Sequence, residues 1–391
     1  MDFPRRLRLQ DLKLSAFVFG PRMTGKTFLL RQISCALFVD LLDPETELGL
    51  RHSPRRFWEQ ILALAEQSLV IVDEIQKVPV LLDYVQKGIE EKKLRFILSG
   101  SSARKLKRGG ANLLGGRALD LRLHPLTIQE MASHFHLENV LKYGSLPKVA
   151  QLMVSQDIEE VKGILRAYYT TYIKEEIQAE ALTRNVGAFQ RFLSVAAQSN
   201  GQVIEFANIS RECSVPMSTV KEYYSILEDT LLGFFLWPWD RSERKKARPK
   251  FYFFDTGVVR AVQNRLNDDP TALERGILFE QWFINELLRR RDYRHADYEL
   301  TFWRRGRHEI DVLAMAAGKP LLAFECKTGK ESLSSDTFKA FKEHFPTTPL
   351  FVVSADDAYP RKLDNGLEIL PFRQALDEMG QIKSHKDTQS C

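Results

Sequence analysis

Apolar positions are spaced differently in the first 150 residues than in the rest of the chain. In this first part, short continuous apolar runs alternate with stretches of helical periodicity. Such runs are typical of strands buried on both faces, as in a parallel sheet covered by helices. We predict strands at residues 16–19, 38–42, 69–72, 94–98 and 119–123. We predict helices at residues 26–37, 54–67 and 80–92.

After this part the strand signal fades, and helical periodicity dominates residues 152–239. A new apolar run at 251–254 opens a third region with helix and hairpin signals. The pattern therefore predicts a parallel α/β unit over 1–150, a helical region over 151–248, an α/β unit over 249–380 and a flexible tail over 381–391.

Composition narrows the class of protein. The chain of 391 residues is 44% hydrophobic and 27% charged, which is ordinary for a globular protein with a sizeable core. Its cysteines lack the spacings of zinc sites and disulfide scaffolds; they are Cys35, Cys213, Cys326 and Cys391. No apolar run is long enough for a membrane span, and no cleavage pattern of a signal peptide is present. We therefore expect a soluble cytoplasmic protein that does not bind membranes.

The net charge of +5 is small, but basic residues are clustered. Between residues 241 and 250 there are six basic residues and one acidic residue, Glu243. Further basic clusters lie at 104–108, 289–294 and 304–308. One such cluster is typical of a solvated loop, whereas four of them favour binding of a polyanion.

A glycine-rich motif after the first predicted strand indicates a nucleotide site. Its residues fit G-x-x-x-x-G-K-[ST]; they are Gly20, Pro21, Arg22, Met23, Thr24, Gly25, Lys26 and Thr27. Backbone N–H groups of such a loop surround phosphates, and the following helix N-terminus favours negative charge. We expect Lys26 to reach the β- and γ-phosphates of ATP and the Thr27 hydroxyl to hold Mg²⁺.

An acidic pair supplies the second half of this site. Asp73 and Glu74 follow the buried run 69–72. We expect Asp73 to lie in the outer coordination shell of Mg²⁺ and Glu74 to orient and activate the attacking water. These groups suffice for ATP hydrolysis, because phosphoryl transfer depends mainly on positioning and charge neutralisation.

Two further residues are candidates for catalysis. Ser101 follows the predicted strand 94–98, and we expect it to contact the γ-phosphate, with Ser99 and Ser102 as alternatives. Arg117 is expected to stabilise charge in the transition state, either within its own chain or from a neighbouring subunit. The second case requires a homo-oligomer, and the alternative is an exposed residue at the start of a strand.

These motifs resemble a prokaryotic AAA+ ATPase family of archaeal type. The stretches 72–79, 98–103 and 113–117 carry the resemblance, which extends over nearly the whole chain, including 252–257 and 276–280. It implies a P-loop AAA+ domain that binds ATP, followed by a C-terminal domain of long-unassigned function. The strand 94–98 would then lie between the P-loop strand and the strand that leads to Asp73.

The middle region looks like a helix-turn-helix with a wing. Residues 204–216 predict a helix and a turn, and Ser218 is predicted as the N-cap of a second helix. The run 231–239 and the basic loop after it would form the wing. The predicted DNA contacts are Lys221 on the second helix and Arg241, Arg244, Lys245 and Lys246 in the loop. A protein–protein adaptor is the alternative.

Residues 307–315 and 320–327 predict a hairpin with a three-residue loop. In that register Asp311 lies opposite Glu325, and both project from the face opposite Ile310 and Val312. Opposed carboxylates repel each other, so a divalent metal between them is a natural explanation.

The triple of Asp311, Glu325 and Lys327 resembles the PD-(D/E)XK nuclease core, and Glu280 matches the helical glutamate of that core. The resemblance implies Mg²⁺ or Mn²⁺ held by Glu280, Asp311 and Glu325, with Lys327 positioning or polarising a water. In this ATPase family the domain is often only nuclease-like, so a scaffold without catalysis is the alternative.

Together these features predict an α/β protein with a P-loop AAA+ domain, a helical and winged-helix middle and a PD-(D/E)XK-like domain. The predicted function is ATP hydrolysis coupled to DNA binding and to metal-dependent DNA cleavage or remodelling, and the sequence does not specify whether that DNA is branched or single-stranded. The alternative is a regulatory ATP switch whose C-terminal domain binds a partner and is catalytically inactive.

Overall fold

The computed structural model describes residues 2–101, 114–173, 186–240, 248–329 and 333–381. Within these residues, a five-stranded parallel sheet is followed by a helical region and by an eight-stranded mixed sheet. The predicted order of a parallel α/β unit, a helical middle and a second α/β unit is thereby confirmed.

The first sheet contains β1 (Ser15–Phe19), β2 (Leu37–Asp40), β3 (Leu69–Asp73), β4 (Arg95–Gly100) and β5 (Ala118–Arg122). Its strand order is β2-β3-β4-β1-β5, and all pairs are parallel. The strand β4 thus lies between β1 and β3, as predicted. The covering helices are α1 (Lys26–Arg31), α2 (Pro44–His52), α3 (Arg55–Leu62) and α4 (Leu81–Lys92).

Apolar side chains cover both faces of this sheet. Leu29 and Leu30 of α1 pack on one face, whereas Phe57 of α3 and Val85 of α4 pack on the other. The helix predicted at 26–37 ends at Arg31 because the chain turns into β2 at Leu37.

The middle region is helical. Its elements are α5 (Ile128–Met131), α6 (Leu137–Tyr143), α7 (Pro147–Val154), α8 (Ile158–Ala167), a π-helix (Tyr168–Ile173), α9 (Val186–Gln198), α10 (Phe206–Cys213) and α11 (Met217–Asp229). The helices α10 and α11 occupy the places predicted for the helix-turn-helix. The N-cap of α11 is Pro216 rather than Ser218, because the fixed φ of proline starts the helix without a side-chain hydrogen bond.

The second sheet contains β6 (Gly233–Pro238), β7 (Lys250–Phe253), β8 (Glu299–Arg305), β9 (His308–Ala316), β10 (Lys319–Lys327), β11 (Leu350–Ser354), β12 (Arg361–Lys362) and β13 (Glu368–Pro371). Their order is β12-β13-β11-β10-β9-β8-β6-β7. The remaining helices are α12 (Thr256–Val262), α13 (Ala272–Arg294), α14 (Ser335–His344) and α15 (Phe372–Glu378).

The predicted wing is part of this second sheet. The strand β6 pairs with β7 and also, in parallel, with β8. The boundary predicted between residues 248 and 249 therefore falls between two strands of one hairpin.

The 23-residue helix α13 connects the two sheets. Near its C-terminal end, the carboxylate of Asp292 lies 2.7 Å from Nε2 of His124, directly after β5. Twelve residues earlier, Glu280 faces the second sheet, roughly 18 Å along the helix axis. No helix in the described part of the chain is both long and apolar enough to span a membrane.

Candidate functional site

The glycine-rich loop joins β1 to α1 and needs glycine at two positions. Gly25 caps α1 with φ 89°, a left-handed conformation that residues with a Cβ rarely adopt. A Cβ at Gly20 would lie 2.4 Å from the carbonyl oxygen of Leu123. The hydroxyl of Thr24 donates to the carbonyl of Pro21 (2.9 Å), which closes the loop on itself.

The first charged side chain of the motif's G-K-[ST] end is Lys26, which is 6% exposed. Its Nζ donates to the carbonyls of Gly20 (2.7 Å) and Pro21 (3.0 Å), so the ammonium lies across the mouth of the loop. Thr27 follows in the first turn of α1 and is half-buried. Both side chains are thus held at the loop, where the motif predicts them.

Arg5 lies outside the motif and stabilises this loop, and the sequence analysis did not identify this residue. Its guanidinium donates to the carbonyl of Thr24 (2.7 Å) and to that of His124. It also contacts the Tyr293 hydroxyl (3.0 Å) and pairs with Glu130 (3.1 Å). One buried side chain therefore joins the loop to the end of β5 and to α13.

Asp73 ends β3 and is completely buried. Its Oδ1 accepts a hydrogen bond from the hydroxyl of Ser99 on β4, and the same hydroxyl accepts one from the backbone N–H of Glu74 (2.9 Å). Its Oδ2 has no hydrogen-bond partner among the described residues. A buried carboxylate oxygen without a partner is costly, so this oxygen is suited to contact a cation or its bound water.

Glu74 has φ 61° and stands directly after β3. Its Oε2 accepts a hydrogen bond from Nε2 of Gln76, which lies 3.4 Å from the Ser101 hydroxyl. Gln76 is 6% exposed and lies against Gly100, where a Cβ would come within 2.7 Å of its Oε1. Gln76 thus links the two predicted catalytic residues. Its only sequence signal is a polar side chain in the turn after the acidic pair.

Arg117 is not near the nucleotide loop of its own chain. Because β5 runs parallel to β1 and Ala118 pairs with Ser15, Arg117 lies at the amino-terminal edge of the sheet. The loop lies at the other edge, one strand length of roughly 16 Å away. Arg117 instead pairs with Glu90 (2.9 Å) on the surface. The expected role within its own chain is therefore wrong, and a role from a neighbouring subunit stays a prediction.

The turn of the C-terminal hairpin is shorter than predicted. Ala316 pairs with Lys319, which leaves a two-residue turn. A register shift in β10 directly after the turn compensates, so that Phe324 pairs with Val312. Asp311 and Glu325 come next in this register and are consequently neighbours, as the predicted three-residue loop also placed them.

A β-bulge in β9 changes the predicted faces. Trp303 pairs with Ile310 and Thr301 pairs with Leu313. Three residue steps along β9 therefore lie opposite two residue steps along β8. Ile310 therefore packs with Leu313, and not with Val312 as strict alternation predicts.

Lys250 lies among the carboxylates of this hairpin. It is 3% exposed, and its Nζ is 2.9 Å from Oε1 of Glu280, 2.8 Å from Oε1 of Glu309 and 3.7 Å from Oδ1 of Asp311. The Tyr252 hydroxyl also donates to Glu280. Burial alone would lower the pKa of Lys250, but these anionic neighbours raise it well above its usual value. The ammonium is therefore charged.

Asp311, Glu325 and Lys327 meet as predicted. Oδ2 of Asp311 accepts from the backbone N–H of Cys326 (2.8 Å), and Nζ of Lys327 is 2.9 Å from Oε1 of Glu325. Oε2 of Glu325 is buried without a partner in the described part of the chain. Burial and the nearby charge of Glu280 raise the pKa of Asp311 well above its usual value, and burial raises that of Glu325.

The predicted metal site does not fit this arrangement. Over the ranges that the structure describes, no group of three Asp, Glu, His or Cys side chains is arranged to hold a metal ion as it stands. The ammonium of Lys250 lies beside Glu280 and Asp311 instead. Sequence reasoning counted Lys250 among residues that face a polyanion, because burial is invisible in a run of basic residues.

The basic clusters have different surroundings. In the cluster 289–294, Arg289 and Arg290 are buried and donate to backbone carbonyls, so these two arginines stabilise the fold. The cluster 104–108 and the four loop residues Arg241, Arg244, Lys245 and Lys246 lie outside the described residues. Lys221 is exposed on α11. The tip of the β8–β9 hairpin also exposes three arginines, Arg304, Arg305 and Arg307.

Three family models match consecutive parts of the chain. Residues 13–132 match a model described as "AAA domain". Residues 134–269 and 275–375 match models described as "Domain of unknown function (DUF8612)" and "Domain of unknown function (DUF4143)". The AAA domain thus holds the glycine-rich loop and Asp73, whereas the C-terminal match assigns no nuclease.

The chain is similar to several proteins that are named only as uncharacterized. One from Mycobacterium tuberculosis is 26% identical over 326 residues, covering 81% of this chain and 70% of that protein. One from Haemophilus influenzae is 24% identical over 361 residues, covering 82% and 84% of the two chains. One from Methanocaldococcus jannaschii is 22% identical over 393 residues, covering 91% and 86%.

Two solved structures show a distant likeness. The Aeropyrum pernix ORC1 protein in complex with DNA has a TM-score of 0.30 and 13% identity, over 66% of this chain and 88% of that chain. The replication initiator DnaA bound to AMPPCP and single-stranded DNA has a TM-score of 0.28 and 12% identity, over 57% and 84%. These scores are too low to transfer a function.

Proposed function

We propose that this protein binds and hydrolyses ATP in the AAA domain and uses the nucleotide state to control binding of DNA. The observation that carries the proposal is the buried Oδ2 of Asp73, which has no partner among the described residues and lies at the sheet edge that bears the glycine-rich loop. A buried charge without a counter-charge is expected where a bound ligand supplies it.

Lys26 and Thr27 would bind the phosphates and the metal of this ligand. In the structure Nζ of Lys26 is held by two loop carbonyls, and we propose that it exchanges them for the β- and γ-phosphates. Thr27 would hold Mg²⁺, with Asp73 in its outer shell. Bound Mg²⁺ offsets phosphate charge during phosphoryl transfer.

Glu74 would orient the attacking water, and its surroundings support that role. Gln76 fixes one of its carboxylate oxygens and leaves the other to accept from a water. Ser101, reached by the same amide, would contact the γ-phosphate. The three side chains would thereby connect the presence of a γ-phosphate to the position of the water-activating group.

The link from nucleotide to the rest of the molecule would run through Arg5 and α13. Arg5 holds the carbonyl of Thr24 in the loop and the hydroxyl of Tyr293 on α13. A movement of the loop on binding phosphate would therefore act on α13, which also carries Glu280 against the second sheet.

The DNA-binding part of the proposal rests on charge. Lys221 near the start of α11 is exposed, and so are Arg304, Arg305 and Arg307 at the β8–β9 tip. Phosphate contacts of such residues release counterions, so DNA affinity should fall steeply with salt.

The test is a DNA-binding titration of the full chain at two salt concentrations, with ATP, with ADP and without nucleotide. Single-stranded, duplex and branched DNA are compared. We expect affinity that falls with salt and changes between ATP and ADP in the wild type, and no nucleotide effect in Lys26→Ala. Binding that ignores both salt and nucleotide would contradict the proposal.

A second candidate function is an ATP switch whose C-terminal domain binds a protein partner and cuts nothing. The contacts of Lys250 with Glu280 and Glu309 favour it over metal-dependent cleavage, so we do not propose cleavage. A protein that hydrolyses ATP but binds no DNA at either salt concentration would support this second candidate.

A further inference from the structure

We infer that the ammonium of Lys250 occupies the place of a divalent metal in the C-terminal carboxylate cluster (Glu280, Glu309, Asp311 and Glu325). Wild-type protein would then leave Mn²⁺ and Mg²⁺ unbound there, and loss of this ammonium would create a metal site. This inference is independent of the function proposed for the AAA domain.

The contacts of the ammonium are those of a bound cation. Oxygens of Glu280, Glu309 and Asp311 surround Nζ of Lys250 at 2.9, 2.8 and 3.7 Å. A lysine ammonium has three N–H donors and no acceptor; Glu280 and Glu309 lie at hydrogen-bond distance, and Asp311 adds a third negative charge nearby. A metal ion next to it would face its positive charge at short range.

The backbone holds Lys250 in this place. It begins β7, where it pairs with Leu236 of β6, and it forms a further bridge with Val203. Its side chain is almost completely buried, and Nζ lies 5.6 Å from the ring of Phe302. Rotation of the ammonium into solvent would leave the carboxylates buried without this counter-charge, which is costly.

The cluster is still short of positive charge. Its four carboxylates have three cationic partners, Lys250, Lys327 and Arg304, the last of which lies 3.7 Å from Oε2 of Glu309. Oε2 of Glu325 is buried and has no partner among the described residues. Without Lys250, oxygens of Glu280 and Asp311 would also lose their cation. Carboxylate oxygens are the ligands that hard divalent cations prefer, so the vacated place would favour Mn²⁺.

The test compares Mn²⁺ binding by calorimetry, without nucleotide, in full-length wild type, Lys250→Met and Lys250→Met/Asp311→Asn. Methionine keeps the unbranched side chain but removes the charge. Lys362→Met is the matched control, because it removes an exposed ammonium of the same sheet that pairs with Glu368. Circular dichroism shows that each variant is folded.

We expect Lys250→Met to bind Mn²⁺ at least about tenfold more tightly than the wild type, since a positive charge in contact is removed. The double variant and Lys362→Met should match the wild type. Should Lys250→Met be unstable, Mn²⁺ should raise its melting temperature and leave that of the wild type unchanged.

Two results would overturn the inference. One is wild-type Mn²⁺ binding that is lost in Asp311→Asn, since Lys250 would then be compatible with a metal. The other is a Lys250→Met protein that gains neither Mn²⁺ affinity nor thermal stability from Mn²⁺. Failure of ATP hydrolysis in the wild type would refute the proposed function and leave this inference standing.

Discussion

The two sheets carry buried acidic residues in two different electrostatic surroundings. At the edge of the first sheet, Oδ2 of Asp73 has no hydrogen-bond partner among the described residues, and Nζ of Lys26 donates to carbonyls of the loop. In the second sheet, Glu280, Glu309 and Asp311 already share the ammonium of Lys250.

The comparison teaches that residue types alone do not define a metal site. Acidic residues and lysine occur in both places, but an oxygen of Asp73 has no hydrogen-bond partner among the described residues, whereas the ammonium of Lys250 lies among Glu280, Glu309 and Asp311. A buried charge must be compensated, and we propose that a ligand does so in the first case, as the side chain of Lys250 does in the second. The predictions below test this difference.

The largest effect is expected for Lys26→Ala. Loss of the ammonium removes charge neutralisation of the phosphates, so ATP hydrolysis should fall by about a hundredfold or more. Steady-state phosphate release measures this. Lys327→Ala, the corresponding loss in the second sheet, is the control and should hydrolyse ATP at the wild-type rate.

Glu74→Gln should separate binding from hydrolysis. The amide keeps the shape of the side chain but cannot take a proton from water, so kcat should fall by about a hundredfold while ATP still binds. Equilibrium binding of ATP and single-turnover hydrolysis measure the two steps. Hydrolysis at the wild-type rate would show that Glu74 does not activate the water.

Asp73→Asn and Asp311→Asn form a matched pair across the two sheets. Asp73→Asn should weaken the Mg²⁺ dependence of hydrolysis, because it neutralises the oxygen that lacks a partner. Asp311→Asn should leave the Mg²⁺ dependence unchanged. An equal shift in both variants would remove the distinction between the sites.

Gln76→Ala should lower kcat by about tenfold with a smaller change in KM, because Glu74 loses the group that positions it. Gln60→Ala, at an exposed position of α3, is the matched control, because it removes the same side chain. If KM changes and kcat does not, Gln76 belongs to ATP binding and not to the positioning of Glu74.

The smallest effect concerns His124, where α13 meets the AAA domain. Burial lowers the pKa of His124 in spite of its hydrogen bond with Asp292, so the folded state binds fewer protons than the unfolded state. Stability should therefore be lost as the pH falls below about 6.5, by no more than about 1.4 kcal/mol per pH unit. Melting temperatures from pH 7.5 to 5.5 check this, and His124→Asn should show the weaker pH dependence.

Local motifs made much of the AAA domain predictable. The glycine-rich loop and Asp73 each follow an apolar run, and a few consecutive residues are enough to identify each of them. Arg5 was missed because its contact with Tyr293 spans 288 positions of the chain. Gln76 was missed because its role depends on two strands lying side by side.

The second sheet was harder to predict. The neighbouring positions of Asp311 and Glu325 followed from strand alternation, even though a shorter turn and a register shift replaced the predicted loop. The bulge that moves Ile310 to the other face has no clear local signal. Lys250 was the decisive omission, since a run of basic residues does not reveal which one is buried.

The most direct measurement counts the Mn²⁺ ions bound per chain in the presence of a non-hydrolysable ATP analogue, by electron paramagnetic resonance. We predict one ion per chain, lost in Lys26→Ala and retained in Asp311→Asn, because the ammonium of Lys250 already lies among the carboxylates of the second sheet. Two ions per chain, or one that disappears in Asp311→Asn, would contradict the account.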